Sequence, residues 1–198
     1  MSSICVVYHS GFGHTKAQAD AVVEGARSVP GTDVHQVAVQ HVDAHWDRLH
    51  AADALIFGTP TYMGTVSAEF KTFMDKTSGF FTSQPWKDKL AAGFTNSASQ
   101  HGDKLNTLVS LAVFAAQHGM NWISLGLLPG HNSSSGGPEE LNRIGGFLGA
   151  MAQSNVDESP EVAPPQSDRA TAFQLGRRVA DAAHRWQSKA APVASITR

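Results

Sequence analysis

Residues able to do chemistry gather in three short stretches, each directly after an apolar run. The first is Tyr8-His9-Ser10-Gly11-Phe12-Gly13-His14-Thr15, which follows Ile4-Cys5-Val6-Val7 and leads into a helix-like segment. A strand that opens through a hydroxyl-bearing, glycine-containing loop into a helix aims backbone N–H groups at an anion, usually a phosphate. This loop holds no Lys or Arg, so amides, Ser10 and Thr15 would carry the charge. That suits one monoester phosphate better than a triphosphate. The second stretch is Gly58-Thr59-Pro60-Thr61-Tyr62-Met63-Gly64-Thr65. Pro60 stiffens a turn there, and the flanking glycines let backbone come close to a ligand. Its exposed amides and carbonyls can read the polar edge of a flat heterocycle, with Thr61, Tyr62 and Met63 against the ring face. The third, Asn96-Ser97-Ala98-Ser99-Gln100-His101-Gly102, offers small polar side chains and further amides. Taken singly, each stretch is equally an ordinary surface turn.

The elements that must position these loops follow from the apolar pattern. Ile4 to Tyr8, Val34 to Val39, Asp53 to Gly58, Lys89 to Asn96 and Asn121 to Leu127 read as strands. Between them run helical stripes: Ala19, Val22, Val23 and Ala26; Phe70, Phe73 and Met74; Leu105, Leu108, Val109 and Ala112. A last helix carries Leu175, Val179, Ala182, Ala183 and Trp186. Regular alternation of strand and helix predicts an α/β fold, a five-stranded parallel sheet with helices on both faces. Its size and number of units match the flavodoxin-like order 2-1-3-4-5. In that order strands 1, 3 and 4 are neighbours, so the three loops share the carboxyl rim where ligands bind. We expect a single domain over residues 1–189 with a long loop at 128–167, rich in Gly, Ser and Pro. Loops of that length tend to be lids, interface elements or mobile segments. A short helix is expected within it at Pro138 to Leu148, and a disordered tail at 190–198.

Composition narrows the function classes. The chain has 198 residues, 41% of them apolar and 16% charged, with a net charge of −2. No basic field is present for nucleic acid. The one cysteine, Cys5, lies within the first apolar run, which fits a reducing compartment. No apolar run approaches the roughly 18 residues of a membrane span, and the N-terminus lacks a signal-peptide pattern. These features predict a cytoplasmic protein with no membrane partner. His41, His45 and His50 invite a metal reading, yet no cysteine or carboxylate cluster completes a site, and a solvated linker is expected. Gly11-Phe12-Gly13-His14-Thr15-Lys16 lacks the third glycine of a dinucleotide fingerprint, and no acidic residue ends the second strand. A P-loop is absent.

The chain resembles the flavodoxin-like NAD(P)H:quinone oxidoreductases of the tryptophan-repressor-binding-protein (WrbA) family. The matching pieces are Ser10-Gly11-Phe12-Gly13-His14-Thr15, Gly58-Thr59-Pro60-Thr61 followed by Gly64, the helix Phe70-Lys71-Thr72-Phe73-Met74-Asp75, and Gln117-His118-Gly119-Met120. The resemblance implies FMN as cofactor, with its phosphate on Ser10, Gly11, Phe12, Gly13, His14 and Thr15. Pro60, Thr61, Tyr62, Met63 and Gly64 would line the isoalloxazine. Asn96, Ser97, Ala98, Ser99, Gln100 and His101 would meet the ring's other edge and the ribityl chain. It implies His118 at the flavin near a subunit boundary, Phe81 at the quinone, Phe12 at the nicotinamide, and a homodimer or homotetramer. Where the family has an Arg-Phe pair this chain has Tyr62-Met63, and the segment after the fifth strand matches poorly.

The function expected is two-electron reduction of quinones, or similar planar acceptors, by NADH or NADPH through flavin, with ping-pong kinetics. His118 or His101 would assist protonation of the product. The alternative is a flavodoxin-type electron-transfer protein, and a third reading is a non-catalytic binding module.

Overall fold

A computed structural model describes residues 1–188; the tail expected at 190–198 lies outside the described residues. The central sheet is built from β1 (Ser2–Tyr8), β2 (Thr32–Ala38), β3 (Ala54–Tyr62) and β5 (Leu90–Ser97), all parallel, in the order β2-β1-β3-β5. Two short strands share the next position. β6 (Asn121–Trp122) pairs with Leu90 and Ala91, and β7 (Ala150–Gln153) pairs with Phe94 to Ser97. The expected order 2-1-3-4-5 is therefore present, with its fifth place divided between two pieces of chain.

Alternation along the strands splits the core into two layers. In β1, Ile4 and Val6 face α1 (His14–Arg27) and α5 (Gln166–Ser188), packing with Val22, Leu175 and Val179. Cys5 and Val7 face the other side, toward α3 (Ala68–Lys76) and α4 (Lys104–Gln117), among Phe57, Phe70, Phe73, Leu108 and Leu111. Period-two exposure on a sheet covered on both faces leaves neither side for water. Phe57 is fully buried, and its truncation to alanine costs about 3–5 kcal/mol.

The structure corrects three sequence expectations. β3 runs on through Thr59, Pro60 and Thr61, with Pro60 opposite Asn96, so Pro60 sits in a strand rather than a turn. The turn is Met63-Gly64, both at positive φ (48° and 85°), closing a two-residue hairpin onto β4 (Thr65–Val66). No helix forms at 138–148. Asn142 and Gly145 adopt left-handed backbone there (φ 51° and 79°), which breaks a helix as soon as it starts. The segment around His41, His45 and His50 is not a loose linker either. A short 3-10 helix and α2 (Trp46–Ala51) occupy it, and Trp86 Nε1 donates to His50 Nδ1 at 3.1 Å. Among the described residues no group of His, Cys, Asp and Glu could hold a metal ion, and no helix is long and apolar enough to cross a membrane.

Candidate active site

The three loops do meet. A cleft of about 440 Å³ is lined by Phe12, His14 and Thr15 from the first, by Pro60 to Gly64 from the second, and by Asn96 to Ser99 from the third. Gly102, Asp103, Ser154 and Val156 complete it.

The first loop is held open by its own hydroxyl. Ser10 Oγ accepts from the amides of Gly13 and Lys16, both at 3.1 Å. Gly13 takes left-handed backbone (φ 90°) immediately before α1. The amides of His14 and Thr15, in the first helical turn, have no acceptor within the helix, and Thr15 faces the cleft. A free hydroxyl and two free amides at a helix N-terminus form an anion seat. His9 stands behind the loop. Its Nδ1 lies 2.8 Å from Ser67 Oγ, which in turn accepts from Phe70 N to cap α3. Burial lowers the His9 pKa, with Glu69 opposing, so the ring is neutral. His14 Nε2 donates to Glu158 O at 2.8 Å.

The second loop is tied down from below. Thr61 Oγ1 lies 2.8 Å from both Thr95 Oγ1 and Thr107 Oγ1, linking β3, β5 and α4 under the rim. Tyr62 and Phe12 meet edge to face at 6.4 Å, and Met63 is fully exposed beside them. The mouth is thus apolar and the floor polar. Burial raises the Tyr62 phenol above its ordinary pKa, which keeps it protonated.

The third loop is fixed by a residue that the sequence reading missed. Lys104, fully buried, donates from Nζ to Ser99 O (2.5 Å) and Gln100 O (2.9 Å). Burial pushes its pKa down to about 8. Asn96 Oδ1 accepts from Ser154 Oγ at 2.9 Å. Ser154, Val156, Glu158 and Pro160 belong to the long segment, which bends back from β7 to roof the phosphate loop. Nothing in their types announces this; only the pairing of β7 beside β5 brings them here.

Of the expected site residues, Ser10, Gly11 and Gly13 build the first loop without lining the cleft, and four lie elsewhere. Gln100 and His101 line a separate cavity of about 810 Å³ with Arg143, Phe147 and Met151. His118 closes α4 at the end away from the cleft; fourteen residues of helix separate the two ends by about 21 Å. Its Nε2 bonds Thr77 Oγ1 at 2.8 Å and its ring packs on Trp86 and Phe114. Burial lowers its pKa, so it is a neutral core residue and not a charged helix end. Phe81 lines the groove between α3 and α4 beside it. Within one chain, neither reaches the cleft.

Fold and site together define a flavodoxin-type protein whose rim is built for a phosphate and a flat, hydrogen-bonding ring. Comparison with known proteins agrees: the chain belongs to the family described as NADPH-dependent FMN reductase, which it matches over residues 17–129. It is 41% identical over 187 residues to a flavodoxin, FldP, of Pseudomonas aeruginosa, covering 91% of this chain and 96% of that one. It is 30% identical to an NAD(P)H dehydrogenase (quinone) of Geobacter sulfurreducens, covering 91% and 97%. The structure of a WrbA-like flavodoxin from Agrobacterium tumefaciens superposes with a TM-score of 0.71 at 42% identity, covering 93% of this chain and 99% of that one. FMN is the cofactor of this chain and NAD(P)H its electron donor, and the residues fit FMN. The cleft has the volume of a small-molecule site, and its anion seat has free donors.

Proposed function

We propose that the chain is an FMN-dependent NAD(P)H:quinone oxidoreductase in which donor and acceptor take turns at one open wall of the cleft. The mouth carries this reading. Phe12 is 76% exposed and Met63 fully so, with Tyr62 half-buried between them. Apolar side chains left in water around a polar cleft mark a place for a ligand. A nicotinamide or a quinone ring satisfies such a mouth; a docking protein does not need one so narrow.

Bound FMN supplies the chemistry, taking two electrons and a proton from NAD(P)H and passing two electrons to a quinone. The chain supplies position. Thr15 and the amides of His14 and Thr15 hold the phosphate, Tyr62 and Met63 wall the ring, and the third loop faces its polar edge. Phe12 stacks the nicotinamide. His118 and Phe81 belong to a flavin only through a neighbouring copy. Leu105, Val109 and Val113 stand exposed four apart along α4, a stripe that supports a homodimer or homotetramer.

The test is the FMN-loaded protein mixed with NAD(P)H and benzoquinone. Steady oxidation with parallel double-reciprocal lines is expected. A preparation that takes up no FMN overturns the proposal. The Pseudomonas relative's name favours a second reading, an electron carrier. That reading predicts slow reaction with NAD(P)H and fast exchange with a redox protein. The net charge of −2 is a weak field for steering such partners.

A further inference from the structure

Lys104 is the one fully buried lysine among the described residues, and the proposed reaction leaves it without a task. It opens α4, the helix that begins under the third loop. Two of its three protons are spent on the carbonyls of Ser99 and Gln100, and Ser99 itself lines the FMN cleft. The ammonium is therefore one peptide group away from the cleft wall.

Two consequences follow from elementary geometry and charge. In a trans peptide the C=O and the next N–H point in opposite directions. Turning the carbonyls of Ser99 and Gln100 inward to Lys104 turns the amides of Gln100 and His101 outward from the loop. Neither amide has an acceptor among the described residues. The charges around Lys104 also fail to cancel. Asp168, at the start of α5, faces it but is held by Arg143 at 2.8 Å through both carboxylate oxygens. Lys104, Arg143 and Asp168 leave one net positive charge in the interior. Asp103 and His101 on the same loop are exposed, their side chains 73% and 85% accessible, and water screens them.

We infer that Lys104 is a positioning residue that makes the cleft prefer the reduced, negatively charged form of FMN over the oxidised form. It acts through its own uncompensated charge, held one peptide group behind Ser99 in the cleft wall. The inference rests on the proposed FMN reading and adds to it a reason for reduction to be favourable. The electrons come from NAD(P)H; Lys104 neither gives nor takes a proton in the step. At an effective dielectric near 20, a unit charge acting across roughly 10 Å changes the affinity for an anion by roughly tenfold. The low lysine pKa, about 8, fits a cation held against burial and neutral at high pH.

Lys104→Met removes the charge and keeps an apolar side chain of similar length. FMN is titrated into parent and variant, oxidised in air and reduced with dithionite under anaerobic conditions. The expected result is oxidised FMN bound within about threefold of the parent and reduced FMN about tenfold more weakly. Equal weakening of both forms overturns the inference, since Lys104 would then only prop the loop; so does an unchanged ratio. A second measurement needs no variant. The potential of FMN bound to the parent, minus that of free FMN at the same pH, reports the same ratio. It should become less positive as the pH rises through about 8 and beyond, as the lysine loses its proton. A difference that stays constant from about pH 7 to about pH 10 overturns the inference. A parent that binds neither form of FMN refutes the FMN reading itself, an outcome distinct from either of these.

Discussion

Gly13→Ala separates the two things the phosphate loop is built on. Gly13 stands at φ 90°, where an L side chain costs about 1–2 kcal/mol. A Cβ there would also lie 2.3 Å from Pro160 Cγ and 3.1 Å from Pro160 Cβ, so the roof segment must move. That segment accepts the His14 hydrogen bond through Glu158 O, and losing it adds about 1 kcal/mol. Taken together, FMN affinity should fall by about 2–3 kcal/mol, some thirty- to a hundredfold. Quenching of flavin fluorescence on titration measures it. Pro160→Gly in the same chain removes the clash and leaves the backbone strain, so the double variant should bind about 1 kcal/mol better than the two single effects added. Parent-like FMN affinity in Gly13→Ala would refute the anchor. Strict additivity in the cycle would refute the roof.

Other perturbations probe neighbouring parts. Ser10→Asp places a carboxylate beside the phosphate and disturbs the acceptor for Gly13 N and Lys16 N; FMN Kd should rise by about a hundredfold in the same titration. Arg143→Met takes from Asp168, 1% exposed, its ion-pair partner and leaves it the Gln153 amide; this should cost about 3 kcal/mol in urea unfolding. The pH dependence of stability has a definite sign. Lys104 is lowered from 10.5 to about 8 on folding, so the unfolded chain binds more protons between those values and stability rises with pH across that window. Cys5, fully buried and raised from 9.0 to about 11, binds its proton more tightly when folded and opposes this rise. Urea midpoints in a Cys5→Ala background should therefore climb from pH 8 to pH 10, and a flat or falling profile would count against a buried cation.

How much of this was legible depended on what each segment must satisfy. The four long strands carry apolar runs because both faces of the sheet are covered, and their positions fixed the order and the rim. The meeting of three loops followed from that order alone. The piece of strand at Ala150-Met151-Ala152-Gln153 was not legible. Its small residues carry no strand preference of their own, and it exists because β5 offers an unpaired edge at Phe94 to Ser97. Pro60 read as a turn because proline lacks an amide to donate, a reason that says nothing against a strand end beside Asn96. Lys104 drew no notice in the sequence, since lysine is rarely buried; the two carbonyls that the third loop turns inward make its burial tolerable. His118 was singled out through a family motif, and the chain places it in the core at the far end of α4, against Trp86 and Thr77.

The division of the fifth strand is what ties these surprises to function. β6 ends at Trp122 and β7 begins at Ala150, so the chain leaves the sheet low on its edge and returns high, beside the rim. A continuous strand would deliver the following residues without the intervening segment, and Arg143 would have no route to Asp168. Because β7 enters next to Asn96, Ser154 can bond Asn96, Glu158 can accept from His14, and Pro160 can close over Gly13. The proposed phosphate anchor is thus completed by contacts spanning some 144 residues of sequence. Local patterns could locate the loop proposed to bind the phosphate, but the contacts that hold that loop closed come from pairing at a sheet edge, which no short window of residues encodes.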